Sequence, residues 1–406
     1  MKVAFMVYFF PALSETFILN QITGLIDRGH EVDILAHRSG DTSTVHSDVI
    51  EYKLLDRTYY EVSVPNTLFR RFLKAIRLVI FNFHKNPFVI LRSLNVFKYK
   101  REALSLRLLY MVLSYIGRKP YDIIHCQFGS SGVQAIKLRE LGVIKGKIIT
   151  TFHGYGIRLG IQNGPDLYSA LKKDGDAFLS ISPYNKQHLL GFGFDPHKII
   201  DHPVGIDVRR FGWKNATYRN HSDNGATRFL TVARLVPEKG LEYGIRSIKE
   251  ILKRNSSARI QYNIVGDGEL KSQLEELTRT LNLTGIVRFL GSLDQSGVQE
   301  MLQKADVFFL PSINEALPVC LMEAQATGLP VVASNVGSVE KVVNKGKSGF
   351  LVRAGDVDDM AEKLIRLIEH PEMWSEMGRA GRAYIKANYD IGKLNDRLVA
   401  IYQQLI

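Results

Sequence analysis

From one end of the chain to the other, short apolar runs rich in β-branched and aromatic residues alternate with stretches of helical periodicity. Parallel strands need crossovers long enough to hold a helix, so this order points to parallel sheets covered by helices. KVAFMVYFF is the first such run, and Ile18, Leu19, Ile22, Leu25 and Ile26 after it mark one face of a helix. HEVDILAH, DIIHCQF, KIITTFH, AFLSIS and KIIDHPVG continue the series. Between Gly205 and Asn224 the pattern stops, and RNHSDNG is polar and turn-forming, as in a linker. It resumes with RFLTVARL, IQYNIVG, VRFLGSL, DVFFLPS, PVVAS and GFLVR. The economical reading is α/β, with two Rossmann-like doubly wound domains, residues 1–206 and 207–387, facing across a cleft at the carboxyl ends of their strands. A C-terminal helix within residues 388–406 crosses back to complete the first domain.

At 406 residues the chain exceeds one ordinary core, and 45% apolar with 23% charged residues is the balance of a soluble globular protein. No run of 18 or more apolar residues is free of charge, and MKVAFMVYFFPALSE meets a proline and an acid too early for a signal peptide. A cytoplasmic location is expected. Cys126 and Cys320 are far apart and lack ligand spacing, which favours two reduced, buried thiols over a disulfide or zinc. The net charge of +12 is concentrated: residues 65–119 hold twelve bases against one acid, Glu102, among many Phe, Leu, Ile and Tyr. A solvated helical insertion would account for that segment, and so would a nucleic-acid surface, although no recognition motif accompanies it. The preferred expectation is amphipathic helices on an anionic membrane surface, with no nucleic-acid partner.

The stretch PSINEALPVCLMEAQATGLPVVAS places Glu315 after a strand and Glu323 within a helix closed by Gly328 and Pro330. Helical rise separates the two carboxylates by roughly 12 Å at most, too far to share a proton. The span suits hydroxyls at opposite ends of one elongated ligand, such as a sugar and a ribose. A helix-dipole acid and a solvated glutamate would look the same in isolation. In VARLVPEKGLE, Arg234 and Lys239 lie between a strand and a helix, where cations and backbone N–H groups meet a pyrophosphate, or where a basic loop is merely exposed. IVGDGEL is a further strand-to-helix turn, in which Gly266 and Gly268 permit close backbone approach or simply reverse the chain. The acidic runs DGD at 174–176 and DVDD at 356–359 do not follow the apolar strand that an aspartate-based metal site uses; capping and solvation explain them, and no metal is expected.

Taken with GFLVRAGD, these motifs in this order and spacing resemble the donor-binding half of the retaining glycosyltransferases of family four, which have the GT-B fold. The resemblance covers about residues 122–390 and includes DIIHCQF and TTFHGYGIR, while PALSETF resembles the exopolysaccharide-building branch typified by colanic acid and amylovoran transferases. It implies that Arg234 and Lys239 hold the diphosphate of a nucleotide sugar, that Glu315 binds the transferred hexose and that Glu323 binds the ribose. Backbone N–H groups at Ala316, Leu317 and Val319 assist, Pro318 having none to offer; Gly266 and the turn from Leu290 to Asp294 lie against the nucleotide. His153 is placed across the cleft near the anomeric carbon. Two departures stand out. PALSETF replaces a glycine pair common among relatives, so that Ser14, Glu15 and Thr16 face the acceptor, or Ser14 caps the helix. Gln127, assigned to the acceptor side with its role open, stands where a histidine is often found. The implied activity is retaining transfer, without cofactor or metal, onto a growing oligosaccharide carried on a polyprenyl lipid at the inner face of the cell membrane. Two other readings stay open: a sugar-nucleotide epimerase or hydrolase on the same fold, and a non-catalytic nucleotide-sugar-binding protein.

Overall fold

The computed structural model describes residues 1–12, 15–42, 45–213 and 225–406. Ser14 and all of RNHSDNG except Gly225 lie outside these residues. The chain divides into two compact units, Met1–His202 with Asn395–Ile406, and Pro203–Leu394.

The first unit is built on a parallel sheet of β1 (Lys2–Phe10), β2 (Glu31–Ser39), β3 (Thr58–Tyr60), β4 (Ile123–Gln127), β5 (Lys147–Phe152), β6 (Ala177–Ser180) and β7 (Ile199–Asp201). Their order is β3-β2-β1-β4-β5-β6-β7. Val3, Ala4 and Phe5 of β1 have no exposed surface, and Val3 is in register with Val32 on one side and Ile123 on the other. A strand covered on both faces has no polar side to present, which is why it reads as one apolar run. The short β3 was not among the expected strands, since three half-buried residues at a sheet edge carry no periodic signal.

The second unit repeats the scheme with β8 (Thr227–Val232), β9 (Ile260–Val265), β10 (Val287–Phe289), β11 (Val307–Leu310), β12 (Val331–Ser334) and β13 (Gly349–Val352), ordered β10-β9-β8-β11-β12-β13. All its pairings are parallel. The helix Ile391–Leu405 returns to the first sheet, where Leu398, Ile401 and Tyr402 pack in one core with Val3, Phe5, Ile123 and Ala177. In each sheet the strand order reverses once, between β1 and β4 and between β8 and β11. The crevice beyond the carboxyl ends of strands at such a reversal is where doubly wound sheets receive ligands.

Residues 65–119 form the helices Leu68–Asn82, Pro87–Ser93, Val96–Leu104 and Arg107–Tyr115. The last is buried through Leu108, Leu109 and Val112, whereas the other three show large apolar side chains to solvent. Phe69 is 72% exposed, Phe88 77% and Phe97 98%. Two of the twelve bases work inward rather than outward. Arg71 is buried and donates to the carbonyls of Pro65 and Ser105, and Arg118 stacks on Tyr59 with 3.3 Å between guanidinium and ring centre. Among the described residues no helix is long and apolar enough to cross a membrane.

Candidate functional site

Beyond β8 the chain runs through Arg234 into a 3₁₀ turn, Pro237–Lys239, and then the helix Leu241–Arg254. Leu235 anchors this loop: it is fully buried, its N–H donates to Asp267 O at 2.9 Å, and its carbonyl accepts from Leu270 N at 3.0 Å. Gly266, at φ +136°, is pressed against the same loop, so that a β-carbon there would lie 1.9 Å from Ala233 O. The close approach anticipated at Gly266 is therefore one of chain to chain. The turn at Leu290 is tied to β9 by its N–H on Ile264 O at 2.9 Å, and Gly266 N donates to Gly291 O at 2.8 Å.

Beyond β11 the chain delivers Glu315. The Lys239 ammonium sits 2.6 Å from Glu315 Oε1, and Ser312 donates its hydroxyl to the same oxygen at 2.8 Å. Glu315 is 7% exposed, and the Lys239 side chain 18%. The cation expected on a diphosphate and the acid expected on sugar hydroxyls thus already form one charge-assisted, largely buried pair. Arg234, by contrast, is exposed and makes no side-chain hydrogen bond or ion pair among the described residues. The N–H groups of Ala316, Leu317 and Val319 donate to no group among those residues either, and the helix Val319–Thr327 begins without a side-chain cap. Glu323 lies within that helix, where burial pushes its carboxyl up from 4.5 to about 7. Sequence reasoning missed Ser312 and Gly337. Gly337 takes a left-handed φ of +55°, and a β-carbon there would fall 1.6 Å from Glu315 O, so only glycine allows the loop beyond β12 to brace Glu315. Neither residue type is distinctive in a loop, so no local pattern marks them.

In the first unit, His153 follows β5 at the N-cap position of the helix Gly154–Asn163, with its ring 4.6 Å from that of Phe17 and 5.0 Å from that of Phe128. Phe128 holds a φ of +87°, a strained conformation for a residue with a β-carbon. Gln127, expected on the acceptor side, is fully buried and touches His153, its Oε1 2.8 Å from His153 Nε2. Burial pulls the His153 imidazole down to about 3, so it is neutral in the ordinary pH range. Glu15 occupies the N-cap position of the helix Thr16–Asp27, without a side-chain hydrogen bond to it. Glu15 lines a pocket with Val7, Phe10, Ile18, Leu19 and His46, and burial raises its carboxyl to about 7.

The remaining polar motifs have structural work. Asp356 caps the helix Val357–Glu369 by accepting from Asp359 N at 3.0 Å, and Asp359 accepts from Arg353 N at 2.9 Å. Asp176 is paired with Arg139 at 2.5 Å, so it is bound rather than solvated as expected. Among the described residues no group of three or more His, Cys, Asp or Glu is placed to hold a metal ion. Cys126 is buried as expected but Cys320 only half-buried; burial raises both thiols, that of Cys320 to about 12.

Two doubly wound units, each with polar groups gathered beyond its strand reversal, are the architecture of the GT-B glycosyltransferases. The structure of HepE from Anabaena in complex with UDP-glucose matches with a TM-score of 0.72 over 100% of both chains, at 14% identity. In sequence, the chain is 33% identical over 418 residues to the colanic acid biosynthesis glycosyltransferase WcaL of Salmonella typhimurium. It is 32% identical over 420 residues to the amylovoran biosynthesis glycosyltransferase AmsK of Erwinia amylovora, and both alignments span 100% of each chain. The family descriptions "Glycosyl transferases group 1" and "Glycosyltransferase Family 4" match residues 217–384 and 14–210. The chain belongs to this glycosyltransferase family.

Proposed function

We propose that the protein transfers a hexose, with retention of configuration, from a nucleotide diphosphate sugar to a hydroxyl of a growing, lipid-linked exopolysaccharide. The observation that carries this reading is the grouping beyond β8 and β11: an exposed Arg234, the Lys239–Glu315 pair, and N–H groups at Ala316, Leu317 and Val319 that donate to nothing among the described residues. Such a set suits a ligand with a diphosphate beside a polyol. The diphosphate draws on Arg234, Lys239 and the N–H groups; Glu315 and Glu323 accept from hydroxyls. As the glycosidic bond to phosphate lengthens, negative charge grows on the departing oxygen, and fixed cations there stabilise the transition state more than the ground state. The leaving phosphate then accepts the proton of the acceptor hydroxyl attacking from the same face, and neither glutamate acts as nucleophile. His153 contacts the transferred sugar as a neutral imidazole.

The acceptor side rests on the names of the exopolysaccharide relatives and on the helices Leu68–Asn82, Pro87–Ser93 and Val96–Leu104. Their exposed Phe and Leu side chains, interleaved with Arg and Lys, suit the interface of an anionic membrane where a lipid-linked acceptor resides. The enzyme is accordingly assigned to the cytoplasmic face of the cell membrane. Replacing Arg234 or Lys239 by alanine lowers kcat about 100-fold, the loss expected when a charge-stabilising group is removed, and a chelator leaves wild-type turnover unchanged. Near-normal turnover in both variants would refute the mechanism. Release of free sugar at the transfer rate without any acceptor would instead mark a hydrolase.

A further inference from the structure

We propose that Gln127 is a positioning residue: it holds His153 in the Nε2–H tautomer, so that the bare Nδ1 of His153 accepts a hydrogen bond from a hydroxyl of the transferred sugar. This rests on the reading that His153 touches that sugar. The tautomer assignment itself rests on geometry within the first unit.

The Gln127 amide is held on three sides in a fully buried position at the end of β4. Its nitrogen donates to Gln21 Oε1 at 2.9 Å and lies 3.4 Å from His125 Nε2, which receives its second proton when that nitrogen is bare. Only the oxygen then remains for His153, 2.8 Å away at Nε2, and an oxygen requires that nitrogen to carry the proton. The brace continues behind it. His125 is fully buried, with Nδ1 2.6 Å from the Tyr402 hydroxyl and Nε2 2.6 Å from Thr151 Oγ1. In the tautomer with Nε2 bare, His125 donates from Nδ1 to Tyr402, a residue of the returning C-terminal helix. The chain Tyr402, His125, Gln127, His153 therefore has a single sense of donation, and an amide, unlike a carboxylate, keeps that sense at every pH.

The other edge of His153 is left for a ligand. Nδ1 makes no hydrogen bond among the described residues, and Phe17 and Phe128 cover the ring. A neutral imidazole has two tautomers that present opposite faces, a donor or an acceptor, and the neighbour of the second nitrogen decides between them. Gln127 is that neighbour.

The test is a long-range ¹H–¹⁵N spectrum of the full chain labelled at histidine, with His153 assigned from its absence in His153→Asn. The expected wild-type pattern is a protonated Nε2 and an unprotonated Nδ1. Gln127→Met, similar in length but unable to accept, moves both shifts toward the average of two tautomers. Gln21→Leu, which removes only the brace on the amide, moves them the same way by less and serves should Gln127→Met fail to fold. A wild-type Nδ1–H pattern, or unchanged shifts in the variants, overturns the assignment. In transfer assays Gln127→Met lowers kcat on the order of ten-fold while the donor KM stays within about two-fold, as for a residue that orients another. If the tautomer moves and kcat does not, while His153→Ala is impaired, Gln127 is not a positioning residue. Normal turnover in His153→Ala, with the tautomer as expected, would remove the role of His153 and leave the assignment standing.

Discussion

Glu323 shows how much one side chain can reveal about its surroundings. Its carboxyl is raised from 4.5 to about 7 by burial. Between those values the unfolded chain has released the proton that the folded chain still holds, so stability falls as pH rises through that window and levels off above about 7. The effect amounts to at most about 3 kcal/mol, less the relief that partial exposure provides. Glu323→Gln should therefore match the wild type in melting temperature near pH 4.5 and exceed it at pH 8, while binding the donor more weakly. Equal melting temperatures at pH 8 would show that the carboxyl is not penalised in the fold. Lys239 and Glu315 present the opposite case, since each stabilises the other and loss of either leaves a largely buried charge unpaired.

The strands were legible in the sequence because a parallel strand buried on both faces is an uninterrupted apolar run, and the helices between them because one face is apolar. What stayed hidden has physical reasons. β3 is too short and too exposed to leave a pattern. The pairing of Lys239 with Glu315 joins residues 76 positions apart, and the brace of Gly337 on Glu315 is a backbone approach that no side chain signals. The resemblance placed Arg234, Lys239, Glu315 and Glu323 in one unit but left Gln127, at the end of β4, without a role, because its partner Gln21 is 106 positions away on a helix. The basic segment was read by counting charges, and the structure shows that Arg71 and Arg118 are spent on internal contacts. The exposed apolar side chains are thus the more informative part. Phe69→Ser with Phe97→Ser should reduce co-sedimentation with vesicles of anionic phospholipid at low salt and leave melting temperature within a degree or so, because both rings are already in water. Wild-type protein that sediments equally with neutral and anionic vesicles would argue against an electrostatic membrane surface.

Two compact units built on one plan divide the chemistry along the chain. The second supplies the cations and acids assigned to the nucleotide sugar, and the first supplies His153, its amide partner and the apolar helices assigned to the acceptor. The return of Leu398, Ile401 and Tyr402 to the first core ties the end of the chain to the beginning, and Tyr402 extends that tie to the hydrogen-bonded chain behind His153. A melting-temperature screen with UDP-, GDP- and ADP-sugars, run in parallel on the wild type, Lys239→Ala and Glu323→Gln, tests the donor site most directly, since a ligand bound only by the folded state stabilises it. One donor series should raise the melting temperature of the wild type, with the rise lost or much reduced in each variant against its own unliganded protein. An undiminished rise in both variants would mean that the nucleotide sugar binds elsewhere.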